Sequence, residues 1–276
     1  MSDLTELLPI TVRTTLDDVL SASEVDVMRL AEDLFGVADI LRADSRLRRA
    51  LSDPARTVSD KEDLVSHAFA RSVESSTCCV LNSMSAVHWS QPDVLPDITE
   101  MCGIYVTLMA AKRADALETV ENELLRVQEI LSDNRQLRMS LSDMGTGTAH
   151  ERAELAHAIF HAHLSPYTMR LIRRAVGRTV HGRLLSKLRM YAETAALVDT
   201  RVLVTVDVAA PLSPEQAARL RKVMSERLKS DVTLAVTVDP QVMGGFRLRA
   251  GNESVDATIS ARLTELRRAL AGSSSF

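Results

Sequence analysis

Three groups of residues in this chain carry side chains able to do chemistry: a histidine face, a cysteine pair and a run of arginines. In "HERAELAHAIFHAHL", His150, Glu154, His157 and His161 recur on one helical face, a spacing that could hold a metal ion. The His157/His161 pair lacks the glutamate of H-E-x-x-H, and no cysteine or carboxylate-rich segment adjoins it. The preferred reading is a solvated face, with Leu155, Ile159 and Ala162 as the core-facing stripe and no metal. Cys78 and Cys79 are adjacent, so they cannot make a C-x-x-C chelate and read as small core residues. The segment Tyr167 to Met190 holds Arg170, Arg173, Arg174, Arg178, Arg183, Lys187 and Arg189 with no acidic residue. It could dock an acidic protein surface, anionic lipid or nucleic acid, although aromatic residues for base stacking are scarce there. No glycine-rich phosphate loop or nucleophile elbow is present, and Gly244-Gly245 run into a strand-like "FRLR" and not a helix start. No catalytic residue and no cofactor is expected.

The elements that must position such residues are mostly helical. Of 276 residues, 46% are hydrophobic but only 3% aromatic, a mix that suits helix packing better than a β-sandwich and is enough for more than one core. The net charge of -4 excludes a generally basic nucleic-acid binder and leaves only the local arginine run for that role. An odd count of three cysteines and an N-terminus without a basic, then apolar, leader point to a reducing compartment, the cytoplasm. No run approaches the ~20 consecutive apolar residues that cross a bilayer.

A repeat organises the helical part. Shifted by 90 residues, Asp33–Asp53 overlies Glu123–Asp143: Leu34 on Leu124, Val37 on Val127, Ile40 and Leu41 on Ile130 and Leu131, Leu47-Arg48 on Leu137-Arg138, and "LSD" on "LSD". One insertion later, Lys61, Leu64 and Phe69 overlie Arg152, Leu155 and Phe160. Helical periodicity accounts for the aliphatic matches but not for the shared Leu-Arg and Leu-Ser-Asp, so the unit is duplicated. Leu34, Val37, Ile40 and Leu41 form the predicted apolar stripe, and Pro54 stops the short helix that follows. A doubled bundle lengthens a body or a docking surface without assembling a catalytic pocket.

The period changes at "TRVLVTVDV", where Val202, Val204, Val206 and Val208 alternate with other residues as in a strand. Ser213-Pro214-Glu215-Gln216 starts a capped helix whose buried face is Ala217, Leu220, Met224 and Leu228. "DVTLAVTVD" predicts a second strand with Val232, Leu234, Val236 and Val238 on one face. Gly244 and Gly245 mark a bend, "FRLR" a third strand, and "AGNES" a tight hairpin. Thr258 caps a final helix with Ile259, Leu263, Leu266 and Leu270 on its inner face and Gly272 at its end. The predicted fold is mostly α: a helical bundle with an internal repeat (copies at 1–108 and 109–198), then a small α/β docking domain at 199–276.

Ala210-Pro211-Leu212, Asp239-Pro240, Gly244-Gly245, Arg249, Gly251, Asp256 and Arg262-Leu263 follow one another in an order and spacing that resembles the delta subunit (oligomycin-sensitivity-conferring protein) family of F-type ATP synthases. The match is close over the C-terminal third. The chain departs from the family's usual Asp-Gly-Ser with Asp256-Ala257-Thr258, and from its N-terminal tyrosine-alanine-leucine signature, while the duplicated unit resembles longer bacterial forms. The resemblance implies a non-catalytic peripheral-stalk subunit on the cytoplasmic face of the cell membrane, without a span of its own. It implies that the helical part grips the N-terminal segments of the alpha subunits and the C-terminal domain binds the b subunit. Gly244, Gly245, Arg249, Asp256, Arg262, Leu263 and Leu266 are the expected partner-binding residues, and nucleic acid is not an expected partner. The alternative is a helical adaptor or regulator binding nucleic acid or an acidic partner through 170–189.

Overall fold

The computed structural model describes residues 8–256 except 23, 90, 144, 146, 181, 200, 229–230, 240–241, 243–244 and 251–252. Within them are twelve helices and a four-stranded sheet, so the class is mostly α with a C-terminal α/β part, as expected. The described residues of 2–117 and 165–171 form one compact unit, and those of 118–164 and from 172 onward form another.

The first copy comprises α1 (Ile10–Ser21), α2 (Val27–Ala43), α3 (Ser45–Ser52), α4 (Val58–Phe69), α5 (Ser75–Ser85) and α6 (Val94–Arg113). Its starts are set by side chains that accept the otherwise unpaired amides of a helix's first turn. Asp26 accepts from the amides of Met28 and Arg29, and Asp44 from those of Arg46 and Leu47. Thr57 and Asp60 form a reciprocal capping box on α4. Asp33, although on α2, accepts from the Glu74 amide at 2.9 Å and the Thr77 hydroxyl at 3.1 Å, so one helix caps the start of another.

At the centre of this copy α2 packs on α6. Leu30, Leu34, Val37 and Leu41 are buried, each stabilising by roughly 1.5–3 kcal/mol. Gly103 on α6 makes the close approach possible: a β-carbon there would lie 2.6 Å from Cε1 of Phe35. α6 is long and apolar enough to cross a membrane by length and composition, which a count of consecutive apolar residues misses because Asp97 and Glu100 interrupt it. Most of the helix is buried against its neighbours. Its polar groups are satisfied locally: Thr99 and Thr107 donate to the carbonyls of Leu95 and Gly103, and Glu100 pairs with Arg42.

The second copy comprises α7 (Leu117–Asp133), α8 (Arg135–Ser140), α9 (Ala149–Phe160), α10 (Pro166–Gly177) and α11 (Leu184–Val198). It repeats the joint of the first. α2 and α7 both run 17 residues and end at a single capping residue, Asp44 or Asn134, before a short helix. Leu34/Leu124, Val37/Val127 and Leu41/Leu131 are buried in both. Thr148 and Glu151 rebuild the Thr57–Asp60 capping box, and Phe69 and Phe160 are both buried.

Three expected core assignments are corrected. Ile40 and Ile130 are 46% and 40% exposed, because six residues beyond Leu34 or Leu124 the helix has turned roughly 240° away. On α9 the buried residues are Ala156 and Phe160, while Leu155 and Ile159 are 40% and 37% exposed and Ala162 is exposed. That helix is apolar on two faces, and the face bearing the large aromatic ring turns inward. On α5 the buried face is Thr77, Val80, Leu81 and Met84. Cys79 is therefore exposed and Cys78 half-buried, and Cys102 on α6 is the buried thiol.

The sheet contains β1 (Arg201–Val208), β2 (Asp231–Val238), β3 (Phe246–Ala250) and β4 (Glu253–Asp256), with α12 (Pro214–Leu228) between β1 and β2. Strand order is β2-β1-β3-β4, with β2 parallel and β3 antiparallel to β1. The predicted capping box forms: the Gln216 amide donates to Ser213 Oγ at 3.2 Å and the Ser213 amide to Gln216 Oε1 at 2.8 Å. Val204, Val206, Val208, Met224, Val232 and Leu248 make the core, with Leu220, Leu228 and Leu234 around it. The inner face of β2 is only half covered. Val232 is buried, but Val238, at the far end of this edge strand, is 45% exposed. The final-helix residues Thr258, Ile259, Leu263, Leu266, Leu270 and Gly272 lie outside the described residues.

Candidate docking site

The hairpin expected to meet a partner is built by strand register. Phe246–Ala250 pairs with Val204–Val208, setting Leu248 opposite Val206 in the core and Arg247 and Arg249 opposite Asp207 and Thr205. The β3–β4 ladder then places Arg247 opposite Asp256 and Arg249 opposite Ser254. Arg247 thus stands between two acidic positions, Asp207 on β1 and Asp256 on β4, an arrangement that favours this register over its neighbours. Ala250 pairs with Glu253, the register of a tight hairpin.

Gly245 has φ of 80°, the left-handed region where a side chain is strained, so a glycine is required as the chain enters β3. Arg249 is exposed, and its charge acts on Glu193 of α11. Burial raises the Glu193 carboxyl above its ordinary value, and the guanidinium groups of Arg189 and Arg249 oppose that rise. Of the expected partner-binding residues, Gly245, Arg249 and Asp256 are therefore brought to one hairpin. Gly244, Arg262, Leu263 and Leu266 lie outside the described residues. The role of Arg247 was not apparent from sequence, since only the pairing of Asp207 with Arg247 and of Arg247 with Asp256 reveals it.

The arginine run is engaged within the protein. Arg170 reaches the Met28 carbonyl at 2.7 Å and Glu32 at 2.8 Å, and Arg173 reaches Glu154 at 2.6 Å. Arg174 is buried, and Lys187 donates to the Arg178 carbonyl at 3.1 Å. With Arg170, Arg173 and Lys187 held by groups of their own chain and Arg174 buried, the segment is not a free basic stripe. The nucleic-acid alternative therefore finds no support. Glu154, committed to Arg173, is also removed from the four-residue metal pattern, and no group of three His, Cys, Asp or Glu that could hold an ion occurs among the described residues.

The sequence model for the ATP synthase delta (OSCP) subunit matches residues 106–270, which takes in the second helical copy and the sheet. The chain is similar over nearly its whole length to proteins named ATP synthase subunit delta. It is 36% identical to that of Salinispora tropica, covering 93% of each chain. It is 34% identical to that of Streptomyces avermitilis, covering 94% of each, and 32% identical to that of Frankia alni, covering 94% of this chain and 96% of the other. The first helical copy, outside the family match, is thus shared with these full-length relatives. With a repeated helical body, a capped α/β hairpin unit and this extent of similarity, the chain belongs to the ATP synthase delta (OSCP) subunit family.

Proposed function

We propose that the chain ties the catalytic head of an F-type ATP synthase to its stalk, the helical part holding the N-terminal segments of the alpha subunits and the α/β part holding the end of the b subunit. As a delta-family member it is a peripheral-stalk component with a structural and not a catalytic role, and it associates with the membrane through the complex. The observation carrying this reading is the full-length similarity to delta subunits. In the proposed division, 1–108 and 109–198 are helical modules and 199–276 is the docking module, facing the cytoplasm. The surface for b is formed by Gly244, Gly245, Arg249, Asp256, Arg262, Leu263 and Leu266. Apolar contacts supply the grip, and charges set register.

Depleting the protein from membrane vesicles and adding it back tests the proposal. ATP hydrolysis by the head should persist after depletion while proton pumping is lost, and pumping should return with the added protein. Unchanged coupling after verified depletion rejects it. Replacing Leu263 and Leu266 with Asp should abolish binding to b, and unchanged binding would place that interface elsewhere.

A further inference from the structure

The histidine face of α9 narrows to two residues. The ring centres of His157 and His161 are 4.9 Å apart with planes inclined by 30°. Nδ1 of His161 lies 2.9 Å from the His157 carbonyl. A carbonyl only accepts, so in the neutral ring that nitrogen carries the proton and the lone pair is on Nε2. Nδ1 of His157 is enclosed, so its approachable nitrogen is also Nε2. Imidazole nitrogens bind transition ions at about 2.0–2.1 Å, which places each ring centre about 3.2 Å from the ion; two such rings at a tetrahedral angle have centres about 5.2 Å apart, close to the 4.9 Å between these two.

We propose that His157 and His161 form a two-histidine chelate for a divalent transition-metal ion such as Zn²⁺ or Ni²⁺, with water in its remaining positions. Glu154 does not contribute, because Arg173 holds it at 2.6 Å, and no third histidine, cysteine or carboxylate completes the group among the described residues. The site is therefore open and exchangeable, unlike a closed structural zinc centre. Its position gives binding a structural effect. His161 is the capping residue at the C-terminal end of α9, so an ion shared with His157 bridges the last turn and brings positive charge to the negative end of the helix. Ligation by the folded chain then raises its stability by mass action.

The test uses the full chain without a histidine tag, titrated with Zn²⁺ and Ni²⁺ by calorimetry and followed by thermal unfolding. The wild type should bind a single ion and unfold at a higher temperature with it. His161→Gln, at an exposed position, should weaken binding by at least about tenfold and abolish the thermal shift. His157→Gln, checked for native circular dichroism, should do the same, whereas His150→Gln and His163→Gln should bind as the wild type does. Absence of binding by the wild type overturns the proposal. So does an affinity of His161→Gln within about twofold of wild type, or an equal loss in His150→Gln.

Discussion

Arg48 and Arg138 stand 90 residues apart in sequence and make the same pair of bonds. Nη1 of Arg48 lies 2.8 Å from the Leu41 carbonyl and 3.2 Å from that of Arg42, while Nη1 of Arg138 lies 2.8 Å and 2.9 Å from those of Leu131 and Ser132. Carbonyls in the last turn of a helix lack partners within it, and a guanidinium supplies both donors and a charge that favours the helix end. Each arginine thus fixes the angle at which a long helix passes into a short one. Duplication preserved this joint as well as the apolar stripe.

Replacing either arginine with alanine should destabilise the protein by about 2 kcal/mol, the scale of a lost charged hydrogen bond. Arg48 should cost the more, since it also reaches Asp93 at 2.9 Å. Lysine should recover more at Arg138 than at Arg48, because Nη1 alone serves both carbonyls at each site and an ammonium can match it, whereas Arg48 also uses Nη2 on Asp93. Urea denaturation measures both, and losses below about 0.5 kcal/mol at both sites would show that the joint is held by its apolar contacts alone.

Gly103→Ala should cost about 1–3 kcal/mol, because the new methyl would overlap the Phe35 ring in a packed core. Phe35→Leu in the same chain should recover part of that loss, a coupling that a double-mutant cycle reads directly. Simple addition of the two losses would place the strain elsewhere.

Glu193 predicts a pH dependence. Its folded carboxyl is raised by burial, with Arg189 and Arg249 opposing, so its contribution is fully present below the ordinary carboxylate range and is lost as pH rises through the raised value. Glu193→Gln should therefore gain stability relative to wild type between about pH 4 and pH 7. Chemical denaturation across that range checks the sign, and a relative loss would mean that the arginines outweigh burial.

Tyr105 should report on the packing of α1 against α6. Burial, and then the 2.8 Å bond to Asp17, push its hydroxyl up to about 12. The stabilisation is intact below the usual tyrosine range near about 10 and is lost as pH climbs through the raised value. Ultraviolet titration of the phenolates should show a late component that disappears in Tyr105→Phe. At neutral pH that variant should lose about 1 kcal/mol. A late component that persists would belong to another tyrosine.

What sequence made legible was local. The alternation of Val204, Val206 and Val208, the Ser213–Gln216 capping box and the duplicated Leu-Arg joint each signal through residues close in the chain, and each appears as read. The misplaced residues have a common cause. A helical period marks an apolar stripe but fixes neither its edge nor which of two stripes turns inward: Ile40 falls outside the stripe of Leu34, Val37 and Leu41, and on α9 Ala156 and Phe160 are buried in place of Leu155 and Ile159. Cys79 follows the same logic beside the buried Val80. Relationships that depend on register or on distant elements left no periodic trace. Arg247 gains its meaning from Asp207 and Asp256, and Asp33 from the amide of Glu74, which only the folded chain brings near.

The register of the sheet also decides how it bears tension. Arg201 begins β1, and Asp256 of β4 is level with Arg247 and through it with Asp207 near the opposite end of β1. A pull between these two points loads the ladders lengthwise, so their hydrogen bonds are strained together and cannot be peeled apart one after another. Single-molecule stretching from these points should meet a higher rupture force than stretching from Arg201 and Asp231, which are paired side by side and open like a zip.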